Sequence, residues 1–573
     1  KCAGHPEYGH VVGVETTTGP LGSGIATSVG MAIAADWLAG RYNKPGYNMF
    51  GNNVYAFCSD GDLMEGISSE AASLAGHLKL SNLCWLYDDN KITIEGDTSL
   101  AFSENVRMRF ESYGWNVVDV DDINNLPSLR KALDVFDATD DCPTLIIMKS
   151  KIAWGAPNAE GTHEAHGAPL GEEEIRMTKK FYGMPEGEKF VVADEVYKLF
   201  ADGIQKRGAE AYADWAEMFE KYAGEFPELA NEIKLITKRE LPEGWAANIK
   251  EFEADPKGMA SRASGGKVLN QLAQGIPWML GGSADLGPSN KTTLTFEGAG
   301  DFSMATPTGR NFHFGIREHA MAAITNGMTL SGLRAFCATF FIFTDYLRPQ
   351  LRLAAIMKLP TKFIFTHDSI GVGEDGPTHQ PVEHLAALRA IPNFYVMRPG
   401  DANEVAECYK IAAQLKSTPS AMVLTRQNLP TIDRTKYSCA CCVHKGGYIL
   451  AEPEGGNPDV ILIGTGSEVS LCLEAAEKLA EEAIKARVVS VPCFELFEEQ
   501  STAYKNAVLP PNVKARVGVE MGVDFGWWKY LGDGGRFVGM STFGASAPAE
   551  ELAVHFGFTV ENVVAKAKEA LGK

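Results

Sequence analysis

The stretch Ser59–Gly66 (SDGDLMEG), followed by Asp88–Gly96 (DDNKITIEG), restricts this chain to few folds. Val54–Cys58 (VYAFC) is an apolar run of strand length. Ile67, Ala71, Leu74, Ala75 and Leu78 recur at helical spacing, and Leu83–Tyr87 (LCWLY) is the next strand. A crossover this short makes the two strands parallel neighbours with a right-handed connection. Both following loops then leave the carboxyl edge of one sheet, where ligands bind in open α/β folds. Asp60 and Asn90 therefore come close in space. Their oxygens suit a hard cation such as Mg²⁺ or Ca²⁺ and leave coordination positions for phosphate oxygens. Taken alone, the same pair also reads as a solvated loop Asp and a turn Asn.

The pattern repeats along the chain. Residues 11–24 (VVGVETTTGPLGSG) lead into a helical-period segment, Ile25–Trp37, so Gly19, Gly22 and Gly24 permit close backbone approach at a helix N-terminus. Another strand falls at Thr144–Lys149. Residues 171–256 are rich in charge and helix formers, and they hold a Pro-punctuated region (Phe226–Pro227, Leu241–Pro242, Asp255–Pro256) that reads as the interdomain connection. A second α/β unit carries strands at Arg334–Phe340 and Lys362–Thr366. A third carries strand Val460–Ile463, helix Leu471–Ala483 and strand Ala486–Val491. Its GTGSE loop could be taken for a phosphate loop but reads as a tight strand-to-helix turn. The expected fold class is α/β, with three consecutive domains of mainly parallel sheet: 1–240, 241–436 and 437–573.

At 573 residues the chain is long enough for several cores. Its net charge of −20 repels nucleic acid and anionic membranes, so neither is expected as a partner. An anionic substrate would need locally clustered cations. No apolar run approaches the roughly 18 residues of a membrane span. Eleven cysteines without regular spacing read as reduced intracellular thiols. Cys439–Cys442 (CACC) is the exception; a zinc site there lacks a second Cys/His pair at finger spacing.

GHPEYG, GPLGSG, the Asp60/Asn90 pair, HEAHGAP (His163–Pro169), FGIREHAM (Phe314–Met321) and HDSIGVGEDGPTHQP (His367–Pro381) occur in one order. Together they resemble the transketolases, thiamine diphosphate enzymes of the pentose phosphate pathways and the Calvin cycle, and the resemblance spans essentially the whole chain. It implies that Asp60, the Asn90 side chain and the Ile92 carbonyl bind Mg²⁺ (or Ca²⁺ or Mn²⁺), which grips the cofactor's diphosphate. Gly19, Pro20, Leu21, Gly61, Glu65, Ile94, His166 and Asp285 match further cofactor positions. Ser59 departs from the usual glycine, and tolerance is expected because Asp60 and Gly61 remain. Glu318 matches the glutamate on the aminopyrimidine that activates the thiazolium carbon, where burial raises a carboxyl pKa. Read without the motif, IREHA is an amphipathic helix with a charged face. Phe340, Phe343 and Tyr346 match the aromatic pocket around the pyrimidine; their spacing alone would suggest helix core.

By the same resemblance, His5, His166 and His379 line the substrate channel and move protons. Asp375 reads the donor hydroxyls, and Arg262, Ser289, His367 and Arg426 clamp the sugar phosphate. Glu65 and Glu70 match carboxylates at a subunit interface. The implied reaction is a ping-pong transfer of a two-carbon ketol unit from xylulose 5-phosphate to ribose 5-phosphate or erythrose 4-phosphate, by a homodimer with interfacial sites. Two alternatives stay open: a formaldehyde-accepting dihydroxyacetone synthase, and an inert homologue with a binding role. The chain starts at Lys1, directly on a functional-looking segment, so an upstream portion is expected to be absent from this numbering. A cytoplasmic location is expected, with the plastid stroma open for a phototrophic eukaryote.

Overall fold

The computed structural model describes residues 4–573. Its contacts divide the chain into two compact units, one of residues 18–238 with 303–308, the other of the residues up to Thr17 with 239–302 and 309–573. The first unit runs α1 (Ser23–Tyr42), β1 (Val54–Ser59), α2 (Asp60–Met64), α3 (Gly66–Leu78), β2 (Leu83–Asp89), α4 (Val106–Ser112), β3 (Asn116–Val120), α5 (Leu126–Asp137) and β4 (Thr144–Lys149). These strands form one parallel sheet in the order β1-β2-β4-β3. Leu83–Tyr87 and Thr144–Met148 are buried throughout, as strands covered on both faces must be. In the register of β1 and β2, Ser59 lies opposite Asp88, so both loops leave the same edge.

Four helices complete this unit: α6 (Glu172–Phe181), α7 (Asp194–Phe200), α8 (Lys206–Glu225) and α9 (Pro227–Thr237). The last two close onto the end of α1. Tyr222 donates to the Tyr42 carbonyl (2.8 Å), and Glu232 takes Arg41 and the Tyr42 hydroxyl, each at 2.8 Å. The first part of the Pro-punctuated region is thus helix α9 (Pro227–Thr237), whose Glu232 fastens it to α1.

The second unit begins with β5 (Asp255–Ala260), α10 (Ser261–Gly275), β6 (Met279–Ser283), α11 (Gly287–Asn290), β7 (Asn311–His313), α12 (Glu318–Leu330), β8 (Arg334–Phe340) and α13 (Thr344–Ile356). It continues with β9 (Lys362–Thr366), α14 (His384–Arg389), β10 (Tyr395–Met397), α15 (Ala402–Gln414), β11 (Ser420–Leu424) and β12 (Asn428–Thr431). Six strands form a parallel sheet, β10-β11-β9-β8-β6-β7, while β5 and β12 make a separate antiparallel pair. Strand β6 lies between β7 and β8, so the chain departs from it in opposite directions. That reversal opens a crevice at the carboxyl edge.

The same unit holds a five-stranded sheet. Its elements are β13 (Tyr448–Ala451), β14 (Val460–Gly464), α16 (Glu468–Glu481), β15 (Ala486–Ser490), α17 (Phe494–Glu498), α18 (Thr502–Val508), β16 (Arg516–Val519), α19 (Trp528–Leu531), β17 (Arg536–Val538), α20 (Ala549–His555) and α21 (Val560–Ala570). The order is β13-β15-β14-β16-β17, with β13 antiparallel. Three mainly parallel sheets thus underlie the α/β fold.

A buried charge network joins the last two sheets. Arg398 is fully buried and pairs with Asp368 (2.8 Å) and Glu468 while donating to the Thr465 carbonyl (2.9 Å). Its guanidinium fills the GTGS turn: a Cβ on Gly466, whose φ is +55°, would stand 2.6 Å from it. Glu520 accepts two bonds from Arg389 (2.7 and 2.9 Å) and one from Trp527 (2.9 Å). Burial works against its charge, and Arg389 with Arg398 and Trp527 outweighs that, holding Glu520 at about 2. Replacing Arg398 with Met leaves Asp368 and Glu468 buried without their cation. We expect a loss of about 3–5 kcal/mol in urea unfolding; a loss under about 1 kcal/mol would show that the pair is not held by this arginine.

Candidate active site

The loops after β1 and β2 build one candidate region, within the first unit. Asp60 opens α2 and is fully buried. It accepts from the Tyr87 hydroxyl (2.5 Å) and the Lys91 amide (3.1 Å) but forms no ion pair among the described residues; Lys91 turns its ammonium to Asp89 instead (2.6 Å). Burial raises the Asp60 pKa, and the Tyr87 bond opposes that. Asn90 Nδ2 donates to Asp88 and Oδ1 accepts from the Ile92 amide (2.9 Å), which leaves a lone pair on Oδ1. A buried carboxylate without a cation, beside an amide oxygen and a loop carbonyl, is an oxygen-only donor set that fits a hard divalent ion.

Asp62, not singled out from the sequence, ties this loop to the glycine-rich one: its carboxylate accepts from Gly22 N (2.8 Å) and Ser59 N (3.0 Å). Gly22 has φ +77° and no room for a Cβ, which would lie 2.6 Å from Ile67. It serves packing, whereas Gly19, at φ +120°, faces open space. A cleft of about 420 Å³ opens here, lined by Leu21, Gly61, Glu65, Ile92, Ile94 and His166 among others. Six sequence-predicted residues thus share one cavity beside Asp60.

A second candidate region, within the other unit, stands on the carboxyl edge of the six-stranded sheet. Asp285 and Ser289 follow β6, Glu318 follows β7, Phe340 ends β8, His367 follows β9, and Arg426 follows β11. Glu318 is the first residue of α12, half-buried, with no side-chain partner among the described residues. Burial raises its pKa. Phe340 stacks on Phe343 (ring centroids 6.1 Å), and Phe343 meets Tyr346 (5.9 Å) and the edge of His379 (5.8 Å). Their spacing suggests a helix, yet Phe340 closes a strand and only Tyr346 is on α13. The chain turns between them, so the three rings wall a corner.

Arg262, at the start of α10, donates to the Ser289 carbonyl (2.9 Å) and hydroxyl (3.1 Å) and reaches His367 Nε2 at 3.3 Å. A guanidinium only donates, so Nε2 accepts and Nδ1 carries the proton, donating to Thr366 Oγ1 (2.8 Å). That hydroxyl donates to Asn290 Oδ1 (2.7 Å), and Asn290 Nδ2 reaches Ser283 Oγ (2.9 Å). This relay, invisible in the sequence because its members lie far apart in the chain, fixes the His367 tautomer. Burial, then Arg262, Arg426 and His379, pull the His367 pKa down from 6.5 to about 3. Burial and Arg426 also lower Arg262. Neither arginine forms an ion pair with a carboxylate among the described residues, so the cluster is a positive focus awaiting an anion.

Other predicted residues are not drawn in. Asp375 and Asp285 are exposed, the latter in left-handed backbone (φ 59°). His5 is exposed on the segment before Thr17, and Pro20 is exposed beside Gly19. Glu70 is half-buried on α3. Tyr87, which holds Asp60, was missed, although its alternation with Asp89 along β2 aims both side chains to one face.

Comparison with known proteins matches this geometry. Residues 1–242 match the thiamine diphosphate binding domain of transketolases, 257–431 their pyrimidine binding domain, and 446–559 the transketolase-like C-terminal domain. The chain belongs to the transketolase family. The transketolase of Bacillus subtilis (strain 168) is 51% identical over 574 residues, covering 100% of this chain and 86% of that protein. The structure of transketolase from Leishmania mexicana superposes with a TM-score of 0.94 at 43% identity, covering 99% of this chain and 83% of that one. Transketolase of Pichia stipitis, solved in complex with sedoheptulose-7-phosphate, gives 0.95 at 40%, with the same coverage. Transketolase membership makes the chain an enzyme, a transferase, and does not favour the formaldehyde-accepting or inert alternatives.

Ser59 donates through Oγ to the Asp88 carbonyl (2.9 Å), so the departure from glycine adds a tie between β1 and β2. Ser59→Gly should lower unfolding stability by about 1 kcal/mol and leave divalent-ion affinity within about threefold; a tenfold loss of affinity would place the hydroxyl in the ion site. His367 should stay neutral in NMR titration from pH 6.5 to below 5, with the proton on Nδ1, and Arg426→Gln should raise its pKa. In that window the unfolded chain takes up a proton that the folded ring refuses, so this site alone destabilises the fold as pH falls from 6.5 towards 3. A ring that protonates near pH 6.5 in the folded protein contradicts the assignment.

Proposed function

We propose that this chain catalyses reversible transfer of a two-carbon ketol unit from a ketose phosphate, such as xylulose 5-phosphate, to an aldose phosphate, such as ribose 5-phosphate or erythrose 4-phosphate. The observation that carries it is Glu318: a half-buried carboxylate at a helix start, without a side-chain partner among the described residues and with a raised pKa, on the same sheet edge as an aromatic corner. Asp60, Asn90 and the Ile92 carbonyl would hold a divalent ion, Mg²⁺ or Ca²⁺, and with Gly19, Leu21 and Gly61 would receive a diphosphate. Thiamine diphosphate, when bound, supplies the nucleophilic carbon.

The remaining work falls to this chain's own side chains. Glu318 shares a proton with the aminopyrimidine nitrogen, a task for which a raised carboxyl pKa is suited. Phe340, Phe343 and Tyr346 seat the ring and exclude water. Arg262, Arg426, Ser289 and neutral His367 bind the substrate phosphate, whose charge answers the two unpaired guanidiniums. His379, against Phe343, with His166 and His5, moves protons at sugar hydroxyl and carbonyl oxygens, and Asp375 reads the donor hydroxyls. A homodimer in which each site draws on both protomers, three domains near the boundaries 240 and 436, and a cytoplasmic location complete the reading. The reading is supported by sugar-phosphate complexes of the Pichia stipitis relatives, one with xylulose-5-phosphate, and by the absence, among the described residues, of any helix long and apolar enough to cross a membrane.

A coupled assay with xylulose 5-phosphate and ribose 5-phosphate tests it. Glu318→Gln keeps the shape but cannot take a proton, and should cut kcat by about 10²–10⁴-fold while calorimetry with thiamine diphosphate and Ca²⁺ shows binding retained. Little loss of activity would remove Glu318 from its role, and faster turnover with formaldehyde than with ribose 5-phosphate would change the acceptor.

A further inference from the structure

Cys439, Cys441 and Cys442 stand apart from the other cysteines. Of the remaining described ones, Cys142 is half-buried and Cys58, Cys84, Cys337, Cys408, Cys472 and Cys493 are buried. Cys439 and Cys441 are exposed, and Cys442 is partly so. The three occupy the cap and first turns of a short 3₁₀ segment, Ala440–Lys445, that packs against α15. Ala440 and Val443 anchor it by burial, and the His444 ring meets the Cys441 carbonyl at 2.6 Å. The thiols therefore sit on fixed backbone rather than on a free loop.

Within this turn the sulfurs converge. Cys439 Sγ accepts the Cys441 amide at 3.2 Å. The neighbouring Cys439 first, then burial, pushes the Cys441 thiol up to about 12. Cys441 thus holds its proton, while Cys439 is exposed and has a backbone N–H aimed at its sulfur. Geometry also selects the pair. Cys439 and Cys441 are two residues apart across a bend, within the roughly 7 Å of Cα separation that a disulfide spans. Cys441 and Cys442 are adjacent, and a bond between them would have to close against a planar trans peptide.

We propose that Cys439 and Cys441 form a thiol–disulfide exchange site for small disulfides such as glutathione disulfide. The Cys439 thiolate attacks one sulfur of the oxidant, forming a mixed disulfide and releasing the other half as a thiolate. Cys441 then attacks the Cys439 sulfur, and its proton passes to the second departing thiolate. One small disulfide is reduced to two thiols as two protein thiols become one disulfide, so two electrons move and protons balance. Cys442 takes no part in the bond.

The test uses the full chain equilibrated in glutathione buffers of increasing oxidising poise, trapped with an alkylating agent and digested for mass spectrometry. The wild type should yield a peptide spanning Cys439–Cys442 that has lost two hydrogens and carries one alkyl group, and Cys442→Ser the same bond with none. Cys441→Ser should accumulate a glutathione adduct on Cys439, and Cys439→Ser should form no internal bond. The proposal is overturned if the wild-type peptide remains alkylated at all three sulfurs at every poise, carries only a glutathione adduct, or if Cys439→Ser still closes a disulfide.

Discussion

Parallel strand pairing is the constraint on which this molecule depends. A sheet covered by helices on both faces has no free surface for ligands except its ends. At the carboxyl end, loops and helix N-termini present unpaired amides and short polar side chains. In the first sheet this edge holds Asp60 and Asn90, placed side by side by a register that sets Ser59 against Asp88. In the six-stranded sheet it holds Glu318, Phe340, His367 and Arg426, each from a different strand end. Residues separated by more than a hundred positions meet because the edge is their common address.

Buried charge divides structural from functional residues. Arg398 has two carboxylates and a carbonyl, and Glu520 has Arg389 and Trp527, so these groups are satisfied within the fold. The Arg398 guanidinium also fills the GTGS turn, whose glycines resemble those of a phosphate loop. Among the described residues, by contrast, Asp60 is buried without an ion pair, Glu318 is half-buried without a side-chain partner, and Arg262 and Arg426 lie near each other without a carboxylate. Leaving such groups uncompensated costs folding free energy, and the set of them coincides with the positions that the family motifs mark for ion, coenzyme and substrate phosphate.

Much of the fold was legible. Thr144–Lys149, Arg334–Phe340 and Lys362–Thr366 are strands with the bounds read from their apolar runs, and the β1–α3–β2 unit has the predicted parallel pairing. Runs buried on both faces announce themselves by composition. The aromatic corner was less legible, since Phe340, Phe343 and Tyr346 have helical spacing across a strand end, a 3₁₀ turn and a helix. Periodicity assumes one continuous element, and here the chain changes element between the rings.

The sequence alone determined which chemistry was available: oxygen ligands after β1 and β2, a carboxylate in FGIREHAM, and arginines and histidines for an anion. It did so because residue type and motif order are local properties. Only the tertiary structure decided the state of those groups. The tautomer of His367 follows from Arg262, Thr366 and Asn290, its depressed pKa from burial and then Arg262, Arg426 and His379, and the raised pKa of Asp60 from burial against the opposing Tyr87 bond. Burial, charge proximity and hydrogen-bond direction are properties of neighbours in space, and the one-dimensional order of residues does not carry them.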